Sequence, residues 1–288
     1  MPKNDFESKY KFDWKFINEA KKEYVTVSDN LDIYCIYSNK NKNTNRTTFV
    51  FIQGFGSEKE TWTDLWDAIA EVYNLLVIDP RDKDTINLQK DSECSVQRMA
   101  KDIAEIIKHY QIEEKNIVFF GSSVGATYIA HCITQEKIEP KCCFFASPAR
   151  KPRAPGFLIT LALILPKNIV NWLGKKIGRM YLRNKVSEGF QKEVYYQRVE
   201  KINIEKWKNC NQVRKWDATN DFKGIKSPVF LILTEHDKYH NYQESKKLEE
   251  IIPNCKTLTV PTYDYFHIKP GVYEFTQTMK KIIDKIPT

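Results

Sequence analysis

The sequence has little glycine and proline for its length, with 10 and 12 among 288 residues. It also contains no internal repeat and no linker rich in Gly or Ser. These absences exclude collagen-like, repeat and low-complexity proteins. Because 42% of the residues are apolar and 13% are aromatic, the chain can bury a sizeable core. The composition therefore predicts a folded protein of the size of an enzyme.

Long hydrophobic runs are missing as well. The longest, residues 157–165, is much shorter than the roughly 20 residues that a membrane-spanning helix needs. Residues 1–23 are rich in charged side chains and hold no apolar core of the kind that a secretory signal needs. The seven cysteines are scattered without a C-x-x-C pair, a pattern typical of buried free thiols in a reducing compartment. We therefore expect a cytoplasmic protein without a transmembrane segment.

Acidic residues are absent from one segment of the chain. Residues 150–185 contain nine of the 45 basic residues and no Asp or Glu, whereas the rest of the chain carries nearly equal numbers of both signs. The net charge of +8 is therefore a local feature. A charge confined to one segment argues against a general nucleic-acid-binding surface.

Apolar runs typical of strands buried on both faces alternate with segments whose apolar residues recur every three or four positions. This alternation predicts an α/β fold, with a mainly parallel central sheet and helices on both of its faces. A hairpin of residues 24–27 and 31–37 comes first. The later predicted elements are strands 48–52, 74–78, 116–120, 142–145, 228–233 and 256–260, and helices 57–73, 95–110, 124–134, 242–252 and 272–286.

One stretch breaks the alternation, because residues 148–224 show helical patterns and no strand. We therefore divide the chain into a polar N-terminal extension (1–23), an α/β core (24–147 and 225–288) and an inserted helical cap (148–224). Within the cap, residues 167–185 have the pattern of a basic amphipathic helix. Its apolar face, which we expect to cover a pocket, comprises Ile169, Val170, Leu173, Ile177, Met180 and Tyr181, with Trp172 beside it.

A G-x-S-x-G motif lies at residues 121–125, directly after a predicted strand and directly before a predicted helix. A hydroxyl becomes a useful nucleophile when a sharp strand-to-helix turn holds it exposed beside a base. Such a turn requires small flanking residues, which Gly121 and Gly125 supply. The motif therefore predicts Ser123 as a nucleophile.

With this motif in this context, the sequence resembles the α/β-hydrolase superfamily from about residue 24 to residue 286. The resemblance implies the chain order Ser, then Asp or Glu, then His. Asp237 follows a predicted strand and resembles the acid of the family, and His267 stands just before the last helix, where the family has its histidine. Glu235 and Asp264 are rival acids. The resemblance thus implies the triad Ser123, Asp237 and His267, with the imidazole as general base.

The resemblance also implies a place for the oxyanion that forms during acyl transfer. Residues 53–56 read Gln-Gly-Phe-Gly and resemble the His-Gly-x-Gly signature of the family, so the backbone N–H groups of Phe55 and Val124 are the expected donors. Two residues depart from the family pattern in addition to Gln53. Asp82 ends a turn where the family has Gly, and Phe266 stands before the histidine in place of the usual Gly.

We expect no cofactor and no metal. The residues His236, Asp237 and His240 are of the types that bind zinc, but they form only a partial shell on one loop. Neither a Walker motif nor a dinucleotide fingerprint is present in the sequence.

The sequence therefore predicts a serine hydrolase that cleaves carboxylic esters of hydrophobic, acyl-bearing compounds through an acyl-enzyme on Ser123. An acyltransferase or a thioesterase would use the same triad, and a hydrolase-like binding protein or receptor with little turnover is the alternative from a different class. The expected partner is a small hydrophobic ester and not a nucleic acid. The basic segment 150–185 has two alternative roles: a cap with solvated charges, or a surface for peripheral contact with an anionic membrane or an anionic substrate.

Overall fold

The computed structural model describes residues 9–39, 46–89, 91–152, 166–185, 189–201, 210–235, 240 and 242–287. The described strands form one eight-stranded sheet in the order β1-β2-β4-β3-β5-β6-β7-β8. The strands β1 and β2 form an antiparallel hairpin, β2 is antiparallel to β4, and all other neighbours are parallel. The strands are β1 Lys21–Thr26, β2 Asp32–Ser38, β3 Thr48–Ile52, β4 Asn74–Ile78, β5 Ile117–Ser122, β6 Cys142–Ala146, β7 Val229–Leu233 and β8 Cys255–Thr259.

Helices cover both faces of this sheet. They are α1 Lys15–Glu19, α2 Thr63–Val72, α3 Val96–His109, α4 Val124–Gln135, α5 Lys167–Lys185, α6 Phe190–Glu200, α7 Thr219–Lys223, α8 Tyr242–Lys246, α9 Leu248–Ile251 and α10 Gly271–Ile283. The architecture confirms the predicted α/β fold with a mainly parallel sheet.

The core consists of two apolar layers, one on each face of the sheet. Because successive side chains of a strand point to opposite faces, Val50 packs in the layer with α3 and α4, while Phe51 packs in the layer with α2 and α10. Every residue of β3 is buried, which is expected of a central parallel strand with helices on both sides. The burial of both faces explains why this strand is an unbroken apolar run in the sequence.

Some elements differ from the sequence-based expectation. The segment predicted as one helix over residues 57–73 begins as a 3₁₀ turn at Lys59–Thr61, and α2 starts only after Trp62. The helix predicted over residues 242–252 is divided into α8 and α9. The predicted polar extension contains α1, whose Phe16 is buried and whose backbone N–H donates to Asp67 at 2.6 Å. This end of the chain is therefore packed onto α2.

Candidate active site

The tip of the turn between β5 and α4 is Ser123, whose backbone has φ 50° and ψ −115°. Positive φ is rare for a residue with a side chain, and it marks a strained turn. The turn fits only because its neighbours are small: a Cβ at Gly125 would lie 2.4 Å from the carbonyl oxygen of Ile52. A Cβ at Gly121 would similarly lie 2.7 Å from Cα of Ala126. This is the geometry that the motif predicted.

The turn is held by the next strand, since the Ser123 N–H donates to the carbonyl of Ala146 at 2.9 Å. The side chain itself is half-buried. Within the described part of the chain, the hydroxyl of Ser123 forms no hydrogen bond. The backbone therefore fixes Cβ of Ser123, and no described side chain binds its hydroxyl.

The segment of residues 53–57, called the oxyanion loop below, passes directly over this turn. A Cβ at Gly54 would lie 3.1 Å from the carbonyl oxygen of Ser122 and 3.3 Å from Cβ of Ser123. The next residue of the loop is Phe55, and the residue after Ser123 is Val124. The fold thus brings both expected oxyanion donors to the two loops that flank the hydroxyl, at the carboxyl ends of β3 and β5.

A second segment, residues 79–85, holds the oxyanion loop and is called the bracing loop below. The buried ammonium group of Lys83 donates to the carbonyl oxygens of Gly54 and Ser57, both at 2.8 Å. The carboxylate of Asp82 accepts the N–H of Gly56 at 2.8 Å. Because Gly56 has φ +61°, this bond fixes a conformation that glycine adopts at little cost.

The bracing loop also explains one departure from the family pattern. The side chain of Gln53 donates to Asp79 at 3.0 Å, and Thr85 donates to the same carboxylate at 2.8 Å. Burial raises the pKa of Asp79 to about 6. The loop is anchored in turn by Arg81, which pairs with Asp102 at 2.6 Å. Gln53 therefore has a structural partner in this protein.

The side chain of His267 is almost completely buried, with 1% of its surface exposed. Its Nδ1 lies 2.8 Å from the carbonyl oxygen of Tyr263. A carbonyl oxygen only accepts hydrogen bonds, so Nδ1 carries the ring hydrogen and Nε2 is the basic nitrogen. This tautomer is the one that a general base for a hydroxyl requires, whereas the nitrogen that faces the acid in a triad is bonded here to a backbone carbonyl.

Aromatic rings surround the imidazole. The ring centroid of His267 lies 3.9 Å from that of Tyr263, 4.1 Å from that of Phe266 and 4.5 Å from that of Trp62. The indole of Trp62 also donates to the hydroxyl of Ser57 at 2.8 Å. Trp62 therefore contacts both the imidazole and the oxyanion loop that lies over Ser123.

The triad itself stays a prediction. In the described chain no hydrogen bond joins the hydroxyl of Ser123 to the ring of His267, and Asp237 lies outside the described residues. Hydrogen bonds between catalytic groups are often loose in a free enzyme and tighten when substrate binds. Of the rival acids, Glu235 is exposed, and the carboxylate of Asp264 accepts backbone N–H groups from the cap.

Through α6, the described part of the predicted cap contacts the segment that bears His267 and also the oxyanion loop. The carboxylate of Asp264 accepts the backbone N–H groups of Phe190 and Gln191, at the first turn of this helix, and burial raises the pKa of Asp264. The ring of Phe190 lies 6.2 Å from that of His267. Farther along the helix, Arg198 donates to the hydroxyl of Ser57 at 2.9 Å. The helix thus spans from the histidine segment to the oxyanion loop.

Several of these residues were missed in the sequence. Asp82 was noticed as a departure from the family, but the bond that it forms was not foreseen. Lys83, Ser57 and Arg198 gave no signal, because a single Lys, Ser or Arg usually lies on a solvated surface. Trp62 lies in the segment predicted as helix 57–73, and that prediction does not reveal its contact with His267.

Other nucleophiles and metal sites are less favoured by the described chain. Burial raises the pKa of Cys132 and Cys143 above the ordinary range of a thiol and raises that of Cys142 to about 12, so these thiols stay protonated. Among the described residues, no group of three His, Cys, Asp or Glu side chains could hold a metal ion. His236 and Asp237 lie outside them.

The sheet order, the strained serine turn and the adjoining glycine loop together define the class of α/β hydrolases. The sequence matches the family model Hydrolase_4, described as serine aminopeptidase, S33, over residues 92–267, which is more than half of the chain. The chain therefore belongs to this family of α/β hydrolases. No curated protein matches the sequence.

Solved structures share the fold over nearly the whole chain. The esterase RhEst1 from Rhodococcus sp. ECU1013 has a TM-score of 0.71 at 13% identity, covering 93% of this chain and 99% of that protein. The esterase EaEST from Exiguobacterium antarcticum has a TM-score of 0.73 at 12% identity, with coverages of 92% and 100%. A bacterial membrane phospholipase A has a TM-score of 0.72 at 15% identity, with coverages of 99% and 92%. At these identities the similarity to the solved structures shows the fold alone. That the chain is a hydrolase follows from the match to the family model.

Proposed function

We propose that this protein cleaves carboxylic esters of hydrophobic, acyl-bearing compounds by a serine mechanism. Ser123 is the nucleophile, His267 is the general base and Asp237 is the acid that stabilises the imidazolium. The backbone N–H groups of Phe55 and Val124 bind the oxyanion. The observation that carries the proposal is the positive φ of Ser123 at a turn in which larger residues than Gly121 and Gly125 do not fit.

The proposed reaction has two halves. In the first, the Ser123 oxygen attacks the ester carbonyl carbon while Nε2 of His267 takes the hydroxyl proton. The tetrahedral intermediate collapses, the bond to the alcohol oxygen breaks, and His267 returns the proton to the departing alcohol. In the second half, water attacks the acyl-enzyme with the same base, and the acid is released from Ser123.

The surroundings of the imidazole support an apolar substrate. Tyr263, Phe266 and Trp62 pack against the ring, and Phe190 of the cap lies beside it. A substrate that reaches Nε2 must therefore pass between aromatic side chains, which favour an acyl or aromatic group over a strongly hydrated one. Similarity to two esterases in the fold agrees with this substrate class.

Two alternatives use the same site. Thioesters and acyl acceptors other than water need the same nucleophile and base, so a thioesterase or an acyltransferase remains compatible with the geometry. A binding protein or receptor would hold the ligand with little turnover. The strained turn at Ser123 argues for an enzyme, because strain of this kind has a use in nucleophilic attack. The buried thiols favour the reducing conditions of the cytoplasm as the location of the enzyme.

Labelling with a fluorophosphonate tests the proposal. We expect one adduct, located at Ser123 by mass spectrometry of peptides, and its loss in Ser123→Ala. The matched control is Ser122→Ala, which removes the neighbouring hydroxyl and should keep the adduct. A parent protein that is folded but unlabelled would favour the binding protein, and an adduct on another residue would overturn the assignment.

A chain-length series of nitrophenyl esters then defines the reaction. We expect His267→Ala to lower kcat on the best ester by about 10⁴-fold, because a serine without its base is a poor nucleophile. The matched control is His109→Ala, at an exposed position on α3. Addition of an alcohol to the assay separates hydrolysis from acyl transfer, because an acyltransferase partitions its product toward the new ester.

A further inference from the structure

The cap helix α5 has a solvent-exposed face that contains large apolar residues. The exposed fraction is 49% for Ile169, 62% for Trp172 and 60% for Met180. Spacings of three and eight residues place these side chains on one side of the helix. The sequence pattern predicts that Ile169 and Met180 cover a pocket, whereas in the structure they are exposed.

The other side of α5 is occupied by its packing against α6. A Cβ at Gly178 would lie 2.9 Å from the side chain of Val199, so the two helices approach closely there. Leu182 is 2% exposed and packs with Tyr195 of α6. Because this side faces the protein, the exposed apolar side chains cannot turn inward without loss of the contact between the helices.

Basic residues lie among the exposed apolar ones. The ammonium group of Lys176 lies 5.1 Å from the ring centroid of Trp172, and Arg183 is exposed on the same side. Arg179, at the edge of this face, pairs with Glu200 of α6 at 2.6 Å. The sequence of α5 contains no acidic residue. The exposed face, Ile169, Trp172, Lys176, Met180 and Arg183, thus combines apolar and positive groups and is called the α5 face below.

We propose that the α5 face docks on an anionic lipid surface. Helices that lie in a membrane interface have this composition: Trp and aliphatic side chains enter the boundary of the acyl chains, while Lys and Arg contact the lipid phosphates. A second copy of the chain fits less well as the occupant, because two such faces would bring Lys176 and Arg183 together with like charges. No described helix is long and apolar enough to cross a membrane.

The docking has a defined orientation relative to the candidate active site. The helix α5 packs on α6, and α6 places Phe190 beside the ring of His267. A membrane that binds the α5 face therefore lies on the cap side of the molecule. This proposal depends on the surface alone and stands whether or not the proposed ester hydrolysis is correct.

Flotation with vesicles tests the docking. We expect the parent protein to bind vesicles of phosphatidylcholine with 40 mol% phosphatidylglycerol, and to bind vesicles of phosphatidylcholine alone much more weakly. The double variant Lys176→Gln/Arg183→Gln should bind the anionic vesicles about 25-fold more weakly, at about fivefold per charge removed. Trp172→Ala should lower the affinity about tenfold, because a buried indole is lost from the interface.

Matched variants keep the test specific to this face. Lys223→Gln/Lys226→Gln removes two exposed charges elsewhere, and Tyr273→Ala removes an exposed aromatic ring on α10. Both should bind vesicles like the parent. Equal binding to neutral and anionic vesicles, or an equal loss in the control variants, would overturn the proposal. A dimer in sedimentation velocity that dissociates in Trp172→Ala would assign the face to a second copy and would also overturn it.

Discussion

Two loops carry a predicted oxyanion donor, Phe55, and the predicted general base, His267, and different forces fix these loops to the protein. The oxyanion loop is held by directional polar bonds, from the ammonium group of Lys83 and to the carboxylates of Asp82 and Asp79. The segment around His267 is held mainly by aromatic packing, together with the bond between its ring and the carbonyl of Tyr263 and with backbone N–H groups that donate to the carboxylates of Asp264 and Asp64. The contrast matches what each group would do in the proposed mechanism.

An oxyanion donor works only if its N–H points at a fixed position before the charge develops. In the oxyanion loop, the bonds to the carbonyls of Gly54 and Ser57 and from the N–H of Gly56 define that direction. A general base, in contrast, must approach the hydroxyl and withdraw again while it keeps its tautomer. The aromatic rings around the imidazole exclude water without a hydrogen bond that a small shift of the base would break.

The largest effect is expected from the removal of Trp62, which is 1% exposed and contacts both His267 and the oxyanion loop. We expect Trp62→Ala to lower the free energy of unfolding by about 3–5 kcal/mol, because it leaves a large cavity beside His267. Trp62→Phe keeps much of the packing and should lose about 1 kcal/mol with the bond to Ser57. Urea unfolding measures both values.

The matched control for this prediction is Trp172→Ala, which removes an exposed indole and should change the unfolding free energy by less than about 0.5 kcal/mol. If both alanine variants unfold alike, the aromatic packing around His267 is not what holds this segment.

A smaller effect is expected when the polar bracing is broken. Lys83→Met keeps a long side chain but leaves the carbonyls of Gly54 and Ser57 without their buried donor. Because the oxyanion loop then loses its fixed direction, we expect kcat for the best ester to fall about 10–30-fold with little change in KM. Steady-state kinetics measure the two constants separately.

The control is Lys101→Met, which removes an exposed charge from α3. A rise in KM with unchanged kcat in Lys83→Met would mean that the bracing loop affects substrate binding and not the stabilisation of the transition state.

The smallest effect concerns Asp79, whose pKa burial raises to about 6. The carboxyl group of Asp79 therefore binds its proton more tightly in the folded protein than in the unfolded chain. The free energy of unfolding consequently falls as the pH rises from about 4 to about 6. Asp79→Asn removes this cost, so we expect a net gain of about 1 kcal/mol at pH 7.5 and no gain at pH 4. Urea unfolding at the two pH values measures it.

The control is the exposed Asp91, since Asp91→Asn should leave the stability unchanged at both pH values. A loss of stability at pH 7.5 in Asp79→Asn would mean that the ionised carboxylate is needed for its bonds with Gln53 and Thr85.

The sequence predicts the fold well because the information is local. The segments that form β3, β4, β5 and β6 are almost entirely apolar, as expected of strands covered on both faces. The turn at Ser123 was predictable for a similar reason, since Gly121 and Gly125 are close in sequence and are needed by one backbone shape.

The contacts that hold the candidate site in place could not be predicted, because they join segments that are distant in the sequence. Trp62 meets His267, and Lys83 meets Gly54, only after the sheet has brought the ends of its strands together. A buried Lys has the same appearance in a sequence as a solvated one. The orientation of α5 was unpredictable as well, because apolar residues lie on more than one of its sides and only packing against α6 selects the buried one.

The carboxylate of Asp264 has a mechanical consequence for entry to the site. It accepts two backbone N–H groups from the first turn of α6, and it lies three residues before His267. This end of the predicted cap and the segment that bears His267 are therefore joined by these two bonds, in addition to the contact between Phe190 and the imidazole. If α6 moved to admit a substrate, either the two bonds would break or the segment that bears His267 would move with the helix, so Asp264 links access to the site with the position of the imidazole.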